Sequence, residues 1–148
     1  MQKQDNVEFE INVPYPRLIA LFGQASIGLH TMIDEHFGIT VVEFMAAGLI
    51  PLVHASAGPL LDIVLPYSPP STSTLASTTT TVALPTGFHS TNAASFAENL
   101  YEIISLSEKE RQAMRIRARV SAEERFSTAS FEKGWRRNWE RLVDFSQK

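Results

Sequence analysis

The sequence lacks cysteine and has no long apolar run. Without cysteine, the 148-residue chain cannot be a disulfide scaffold, use a thiol nucleophile or bind zinc through thiolates. No uninterrupted apolar stretch approaches the roughly 20 residues that a membrane-spanning helix needs. The polar residues that follow Met1 do not have the pattern of a signal peptide. We therefore expect a soluble domain of ordinary size with one hydrophobic core.

The middle of the chain has no charge, because residues 63–97 include no Asp, Glu, Lys or Arg. Within this stretch, residues 68–81 are a low-complexity run rich in Ser and Thr, with little to bury. We predict a disordered loop over 68–81, inserted between a first part, residues 1–67, and a second part, residues 82–148. Loops tolerate such insertions at a small cost in entropy.

The first part alternates patterns that are typical of strands and of helices. Residues 7–13 alternate apolar and polar side chains, which indicates a strand or an extended segment ending at Pro14. The patterns further along predict a helical turn over 17–23, a strand over 25–30, a helix over 40–47 ended by Gly48, a strand over 50–54 and a short helix from Gly58 to Val64. This alternation favours an α/β fold with parallel strands and right-handed crossovers.

The second part is predicted to be helical. Ser95 with Glu98, and Ser107 with Glu110, have the spacing of capping boxes ahead of periodic segments. A further helix is predicted after Ser127. Its apolar side chains form one stripe, which we expect to pack against the domain surface; the members are Phe131, Trp135, Trp139, Leu142 and Val143.

Several arginines are interleaved with glutamates in this second part. They are Arg111, Arg115, Arg117, Arg119 and Arg125. A basic cluster is typical of nucleic-acid or membrane surfaces, but the interleaved acids favour a solvated helix face. We therefore expect no nucleic-acid partner.

The segment from Asp34 to Gly48 combines acidic side chains with a glycine just before a predicted helix. Gly38 allows the backbone to pass close to a ligand. The free N–H groups at the helix start, at the positive end of the helix dipole, suit an anion such as a diphosphate. Glu43 follows about one turn later, and its carboxylate can accept hydrogen bonds from a ribose diol. Each signal alone is also typical of ordinary helix capping, so both interpretations stay open.

The histidines do not predict a metal centre. His30, Asp34, Glu35 and His36 are close in sequence, but they lack the histidine spacing that metal sites use. His30, at the end of a predicted strand, either lines a ligand pocket or is a partly buried, hydrogen-bonded residue. We expect structural roles for His54 and His89, and a helix-capping or solvent contact for Asp62.

Glu35 and Glu43, with seven residues between them, enclose Phe37 and Gly38. Together with Gly48 and the apolar strand that follows it, this pattern resembles the donor-binding signature of the retaining glycosyltransferases of family four. The resemblance implies the carboxy-terminal half of a GT-B fold, in which a Rossmann-like parallel sheet is flanked by helices and a helical segment follows. Residues 27–39 and 58–64 resemble in particular those members that transfer mannose in α-1,2 linkage from GDP-mannose to a dolichol-linked oligosaccharide.

The resemblance assigns roles residue by residue. Glu35 would face the donor sugar as the catalytic residue, and Glu43 would bind the nucleotide ribose. The donor would also contact the loop and helix start at His36, Phe37, Gly38, Ile39 and Thr40. The family is typically metal-independent, so no cofactor or metal is expected beside the GDP-mannose donor.

The resemblance also marks what the sequence does not contain. The Arg and Lys that contact the donor phosphates in this family are not visible in residues 1–24. We expect the acceptor-binding domain and the membrane anchor of such enzymes to lie outside this sequence, because the family members it resembles work on the cytosolic face of the endoplasmic reticulum membrane. We therefore expect a donor-binding domain with little turnover of its own. The alternatives are a non-catalytic interaction module derived from such an enzyme, or a family-four transferase that uses another nucleotide sugar.

Overall fold

The computed structural model describes residues 6–67 and 84–146, with side chains described through residue 140 and at Val143. The predicted loop at 68–81 lies outside the described residues. Five helices and three strands follow one another within the described part. They are α1 (Tyr15–Gln24), β1 (Ile27–His30), α2 (Ile39–Ala47), β2 (Ile50–His54), β3 (Phe88–Ser90), α3 (Ala93–Ser105), α4 (Glu108–Phe126) and α5 (Thr128–Ser146). A single π-helical turn, Pro59–Ile63, lies between β2 and β3.

The three strands form a parallel sheet in the order β1-β2-β3. The central strand β2 is buried at its first four positions, Ile50 to Val53, as expected for a parallel strand covered on both faces. Its side chains alternate between two packing clusters. Leu52 faces Phe88 and Ile103 of α3, whereas Val53 packs with the α2 and α4 cluster. The predicted Rossmann-like sheet flanked by helices is confirmed.

The α2 helix lies at the centre of the packing. Val41 and Met45 pack against the sheet and α4, and Phe44 packs against Phe22 of α1. Gly48 ends the helix in the left-handed conformation, with φ of 80°, as its predicted role as a stop requires. Because its core face is fully buried, α2 has a fixed position relative to the carboxyl edge of the sheet.

Two arginines of α4 cap the carboxyl end of α2. Arg115 donates to the Gly48 carbonyl at 2.7 Å, and Arg119 donates to the Ala46 and Ala47 carbonyls at 3.2 and 2.9 Å. These carbonyls receive no N–H donor from within the helix and carry the negative end of its dipole. The predicted solvated face is therefore incomplete: Arg119 is exposed and Arg115 half-buried, but both also tie α4 to α2.

Two further expectations are corrected. Of the two alternatives for residues 7–13, the strand does not form, because no described strand lies beside these largely exposed residues to pair with their backbone. The aromatic stripe of α5 does not pack on the domain. Phe131, Trp135 and Trp139 are 67%, 58% and 55% exposed, and their rings stack on one another.

The predicted capping box is confirmed at α4, whereas the box at α3 begins three residues earlier than predicted. Ser107 and Glu110 cap α4 reciprocally, as predicted. At α3 the capping residue is Asn92, three positions before Ser95. The Asn92 side chain accepts from the Ser95 amide at 3.0 Å, and the Ser95 hydroxyl accepts from the Asn92 amide at 3.1 Å. Serine therefore replaces glutamate as the third residue of that box.

Replacement of Ser107 by alanine is expected to lower the free energy of unfolding by about 1 kcal/mol, because one amide of α4 loses its acceptor. The hydrogen bonds from the Ser107 side chain and backbone hold the pKa of Glu110 below its usual value. The part of the stabilisation that needs the carboxylate is therefore present above the ordinary glutamate pKa and is lost as the pH falls through the lowered one.

Urea denaturation at several pH values measures this effect. Ser105→Ala is the matched control, because its exposed hydroxyl only donates to the Tyr101 carbonyl within α3. Equal unfolding midpoints for Ser107→Ala and Ser105→Ala would contradict the capping role.

Candidate functional site

The candidate site lies at the carboxyl edge of the sheet. The strands β1, β2 and β3 end at His30, His54 and Ser90, and because they are parallel, these ends share one edge. Open α/β sheets bind ligands outside the carboxyl ends of their strands. The loop of residues 31–38, which joins β1 to α2, crosses this edge and carries Glu35.

Glu35, in the middle of this loop, lies beside His30, the last residue of β1. The His30 Nε2 and a Glu35 carboxylate oxygen are 3.9 Å apart, and the side chains are 13% and 25% exposed. The His30 Nδ1 atom is buried and has no hydrogen-bond partner among the described residues. The structure therefore brings together the predicted catalytic carboxylate and the predicted pocket histidine; their roles toward a donor stay predictions.

The amino end of α2 opens onto the same loop. Gly38 precedes the helix with φ of 89°, a left-handed conformation that favours glycine. A Cβ atom there would lie 3.3 to 3.4 Å from Ile63, Glu35 and Pro59, so the backbone passes close to its neighbours. No side chain caps this end of the helix. The first amides of an α-helix have no acceptor within it, which makes this terminus suitable for an anion.

Glu43 lies on α2 and contacts α1. The Tyr15 hydroxyl donates to a Glu43 carboxylate oxygen at 3.2 Å. The negative charge of Glu43 raises the pKa of the Tyr15 phenol. The sequence gives no signal for this contact, because 28 residues separate the two side chains and α1 shows no motif. The Glu43 carboxylate is therefore oriented by a tyrosine that sequence reasoning missed.

The remaining predicted donor residues lie on the surface of the loop and the helix start. His36, Phe37 and Ile39 are exposed, and Thr40 is half-buried. The Phe37 ring meets the Phe126 ring edge-on, with centroids 5.9 Å apart. The side chains of His36, Phe37 and Ile39 are thus accessible to a ligand.

The loop that carries Glu35 packs against Gly58, the residue just before the π-helical turn. A Cβ atom on Gly58 would lie 2.5 Å from the His36 carbonyl oxygen and 2.6 Å from that of Phe37. Backbone atoms this close leave space for glycine only. The Gly58 amide also donates to the Glu35 carbonyl at 2.9 Å, which fixes the loop against the turn.

His89 has a structural role, as predicted. Its Nε2 atom lies 3.2 Å from the Pro59 carbonyl oxygen, and burial lowers the pKa of the ring, so the neutral form is favoured. The Asp62 side chain is 64% exposed, which agrees with the predicted solvent contact, and Arg125 of α4 also donates to its carboxylate at 2.7 Å.

Two features are absent from residues 6–67 and 84–146. Within this part of the chain, no group of three or more His, Asp or Glu side chains is arranged to hold a metal ion. None of the helices in the same part has the length and apolar character needed to cross a bilayer.

The parallel sheet flanked by helices, with an uncapped helix start after a glycine at its carboxyl edge, defines a Rossmann-like α/β domain. Comparison with known families agrees: the chain belongs to the family described as glycosyl transferases group 1, whose model matches residues 1–121.

The curated relatives indicate which kind of glycosyl transferase the chain is similar to. The chain is 41% identical over 140 residues to a mouse protein and 43% identical over 129 residues to a human protein. A Neurospora crassa protein is 39% identical over 140 residues. All three are named GDP-Man:Man(3)GlcNAc(2)-PP-Dol alpha-1,2-mannosyltransferase. The alignments cover 87–95% of this chain but only 22–25% of the relatives, so the chain spans about a quarter of their length.

Proposed function

We propose that this chain is the donor-binding part of an α-1,2-mannosyltransferase that uses GDP-mannose and a dolichol-linked oligosaccharide. The observation that carries the proposal is the uncapped amino end of α2, placed between Glu35 in the preceding loop and Glu43 within the helix. The names of the relatives support the choice of donor and acceptor. By the same reasoning, we propose that the intact enzyme works at the endoplasmic reticulum membrane, together with an acceptor-binding domain.

The chemistry follows from the geometry of these groups. The free amides at Ile39 and Thr40 would receive the diphosphate, and the positive end of the helix dipole would stabilise the charge that develops on it as the glycosidic bond breaks. Glu43, oriented by Tyr15, would accept hydrogen bonds from the ribose diol. Glu35 would support the mannose at its reacting carbon. No metal is required, because the helix terminus supplies the electrostatic stabilisation.

Calorimetric titration of the chain with GDP and with GDP-mannose tests this proposal. We expect saturable binding of both at millimolar concentration or below. Glu43→Gln is expected to weaken the binding of both ligands about tenfold or more, because a hydrogen bond to a charged group contributes about 1.5–3 kcal/mol. Glu35→Gln should weaken GDP-mannose and leave GDP unchanged. Glu98→Gln, on the exposed face of α3, is the matched control.

The alternatives give different results in the same titration. Binding of a uridine nucleotide sugar in preference to GDP-mannose would identify another donor. A folded chain that bound no nucleotide would contradict the proposal and favour a non-catalytic module.

Transfer itself is measured in a chimera in which this chain replaces the matching quarter of the human relative. We expect mannose transfer from GDP-mannose to the lipid-linked acceptor, and a turnover about 10²–10³-fold lower in Glu35→Gln.

A further inference from the structure

The loop that carries Glu35 is held on both sides of that residue by one short segment. The Asp34 amide donates to the Ser56 hydroxyl oxygen at 2.8 Å. The Gly58 amide donates to the Glu35 carbonyl at 2.9 Å. Ser56 and Gly58 both follow β2, so the end of the central strand determines where the backbone of Glu35 lies.

The backbone is strained on both sides of this contact. Asp34 has φ of 56° and Ala57 has φ of 41°, and both values fall in the left-handed region that residues with a Cβ atom rarely adopt. Such conformations persist only where the surrounding contacts over-determine them, and they cluster at functional sites. The bonds made by Ser56 and Gly58 are the contacts that hold these two residues.

His54 fixes the orientation of the Ser56 hydroxyl. Its Nε2 atom lies 3.3 Å from the Thr91 carbonyl oxygen, and its Nδ1 atom lies 2.9 Å from the Ser56 hydroxyl oxygen. A carbonyl oxygen only accepts, so in the neutral ring Nε2 carries the proton and Nδ1 accepts from the Ser56 hydroxyl. The lone pairs of Ser56 are then directed to the Asp34 amide. The hydrogen bonds run in one direction from Asp34 through Ser56 and His54 to Thr91.

We propose that Ser56, oriented by His54, is a positioning residue that sets the Glu35 carboxylate opposite the donor sugar. This inference rests on the proposed function, because it assigns Ser56 a role only through Glu35. Reacting groups need placement within a fraction of an ångström, and a misplacement of about 1 Å costs about 10²-fold in rate. The rigid end of β2 supplies that precision to a surface loop.

Kinetics of the chimera with the human relative test the proposal. Ser56→Ala is expected to lower kcat about 10–100-fold while the KM for GDP-mannose changes less than about threefold. Ser56→Thr retains the hydroxyl and is expected to recover most of the lost turnover. Ser105→Ala, a surface serine outside the site, should behave as the unsubstituted chimera.

Amide hydrogen exchange of the chain itself gives a second measurement that needs no activity. In Ser56→Ala, the Asp34 amide is expected to exchange at least tenfold faster, while the Val53 amide in the core of β2 keeps its rate. This separates loss of the loop contact from general unfolding.

The outcomes separate the two proposals. An unsubstituted chimera without transfer activity would overturn both. An active chimera in which Ser56→Ala keeps its kcat, or in which Ser56→Thr fails to restore it, would overturn the positioning role alone. A raised KM with unchanged kcat would also overturn it, because the effect would then be on donor binding.

Discussion

Replacement of Gly58 by alanine is expected to lower the free energy of unfolding by about 3 kcal/mol, a large effect for one added methyl group. The added Cβ would lie 2.5 and 2.6 Å from the His36 and Phe37 carbonyl oxygens, and backbone atoms cannot rotate away as the end of a long side chain can. Relief of the clash requires the loop that carries Glu35 to move away from the π-helical turn. Binding of GDP-mannose is therefore expected to weaken together with stability.

Gly23→Ala is the matched control for this prediction. Gly23 lies near the end of α1, and an added Cβ would meet no atom within 4 Å. Alanine is the better helix former, so stability should be unchanged or higher by up to about 0.5–1 kcal/mol. Chemical denaturation of both variants measures the difference. A Gly58→Ala protein as stable as the unsubstituted chain would show that the loop does not rest on the turn.

Replacement of Met45 by alanine is expected to have a comparable effect, about 3 kcal/mol within a usual range of 2–5 kcal/mol. Met45 is fully buried on the core face of α2, among Val41, Val53 and Ala118. Alanine would leave a cavity between the helix and the sheet that neighbouring groups only partly fill. Glu43 lies on the same helix, and its contact with Tyr15 does not involve Met45. Affinity for GDP should therefore change less than threefold while the protein stays folded.

Two variants make the Met45 prediction specific. Met45→Leu conserves volume and is expected to cost less than about 1.5 kcal/mol. Ile104→Ala removes a side chain that is 60% exposed on α3, and is expected to change stability by about 0.5 kcal/mol or less. Similar losses in Met45→Ala and Ile104→Ala would contradict the assignment of Met45 to the core.

Local signals in the sequence predicted the elements that surround the site. The apolar run from Ile50 to Val53 indicated a strand, and Gly48 marked the end of the helix before it. These predictions held because each depends on residues that are adjacent in sequence. The same is true of Ser107 and Glu110, whose reciprocal bonds span three positions.

Contacts between distant segments could not be predicted in this way. The bond from Tyr15 to Glu43, and the bond from Asp34 to Ser56, join residues 28 and 22 positions apart. The local pattern of neither partner predicts these bonds. The first arises from the packing of α1 against α2, and the second arises because parallel strands bring their carboxyl ends to one edge. The bonds from the α4 arginines to α2 were missed for the same reason. Their acceptors are carbonyls of another helix, and the sequence shows only the neighbouring glutamates.

The hydrophobic pattern of α5 led to a wrong prediction of which side chains pack against the domain. The periodicity of Phe131, Trp135 and Trp139 identified the helix correctly, but periodicity says only which side chains share a face. Among the described side chains of α5, only Ser130 and Gly134 are half-buried, and the others are exposed. Small residues carry little hydrophobic signal, so the larger aromatic stripe dominated the pattern.

The position of this stripe has a practical consequence for spectroscopy. The chain contains two tryptophans, and both lie on the exposed side of α5, with ring centroids 5.9 Å apart. Intrinsic fluorescence excited at the indole band therefore reports on the surroundings of one terminal helix and is nearly blind to the packing around β2. Emission near the wavelength of solvated indole in the folded chain, and a shift to shorter wavelength when a protein or a lipid surface covers α5, would follow directly.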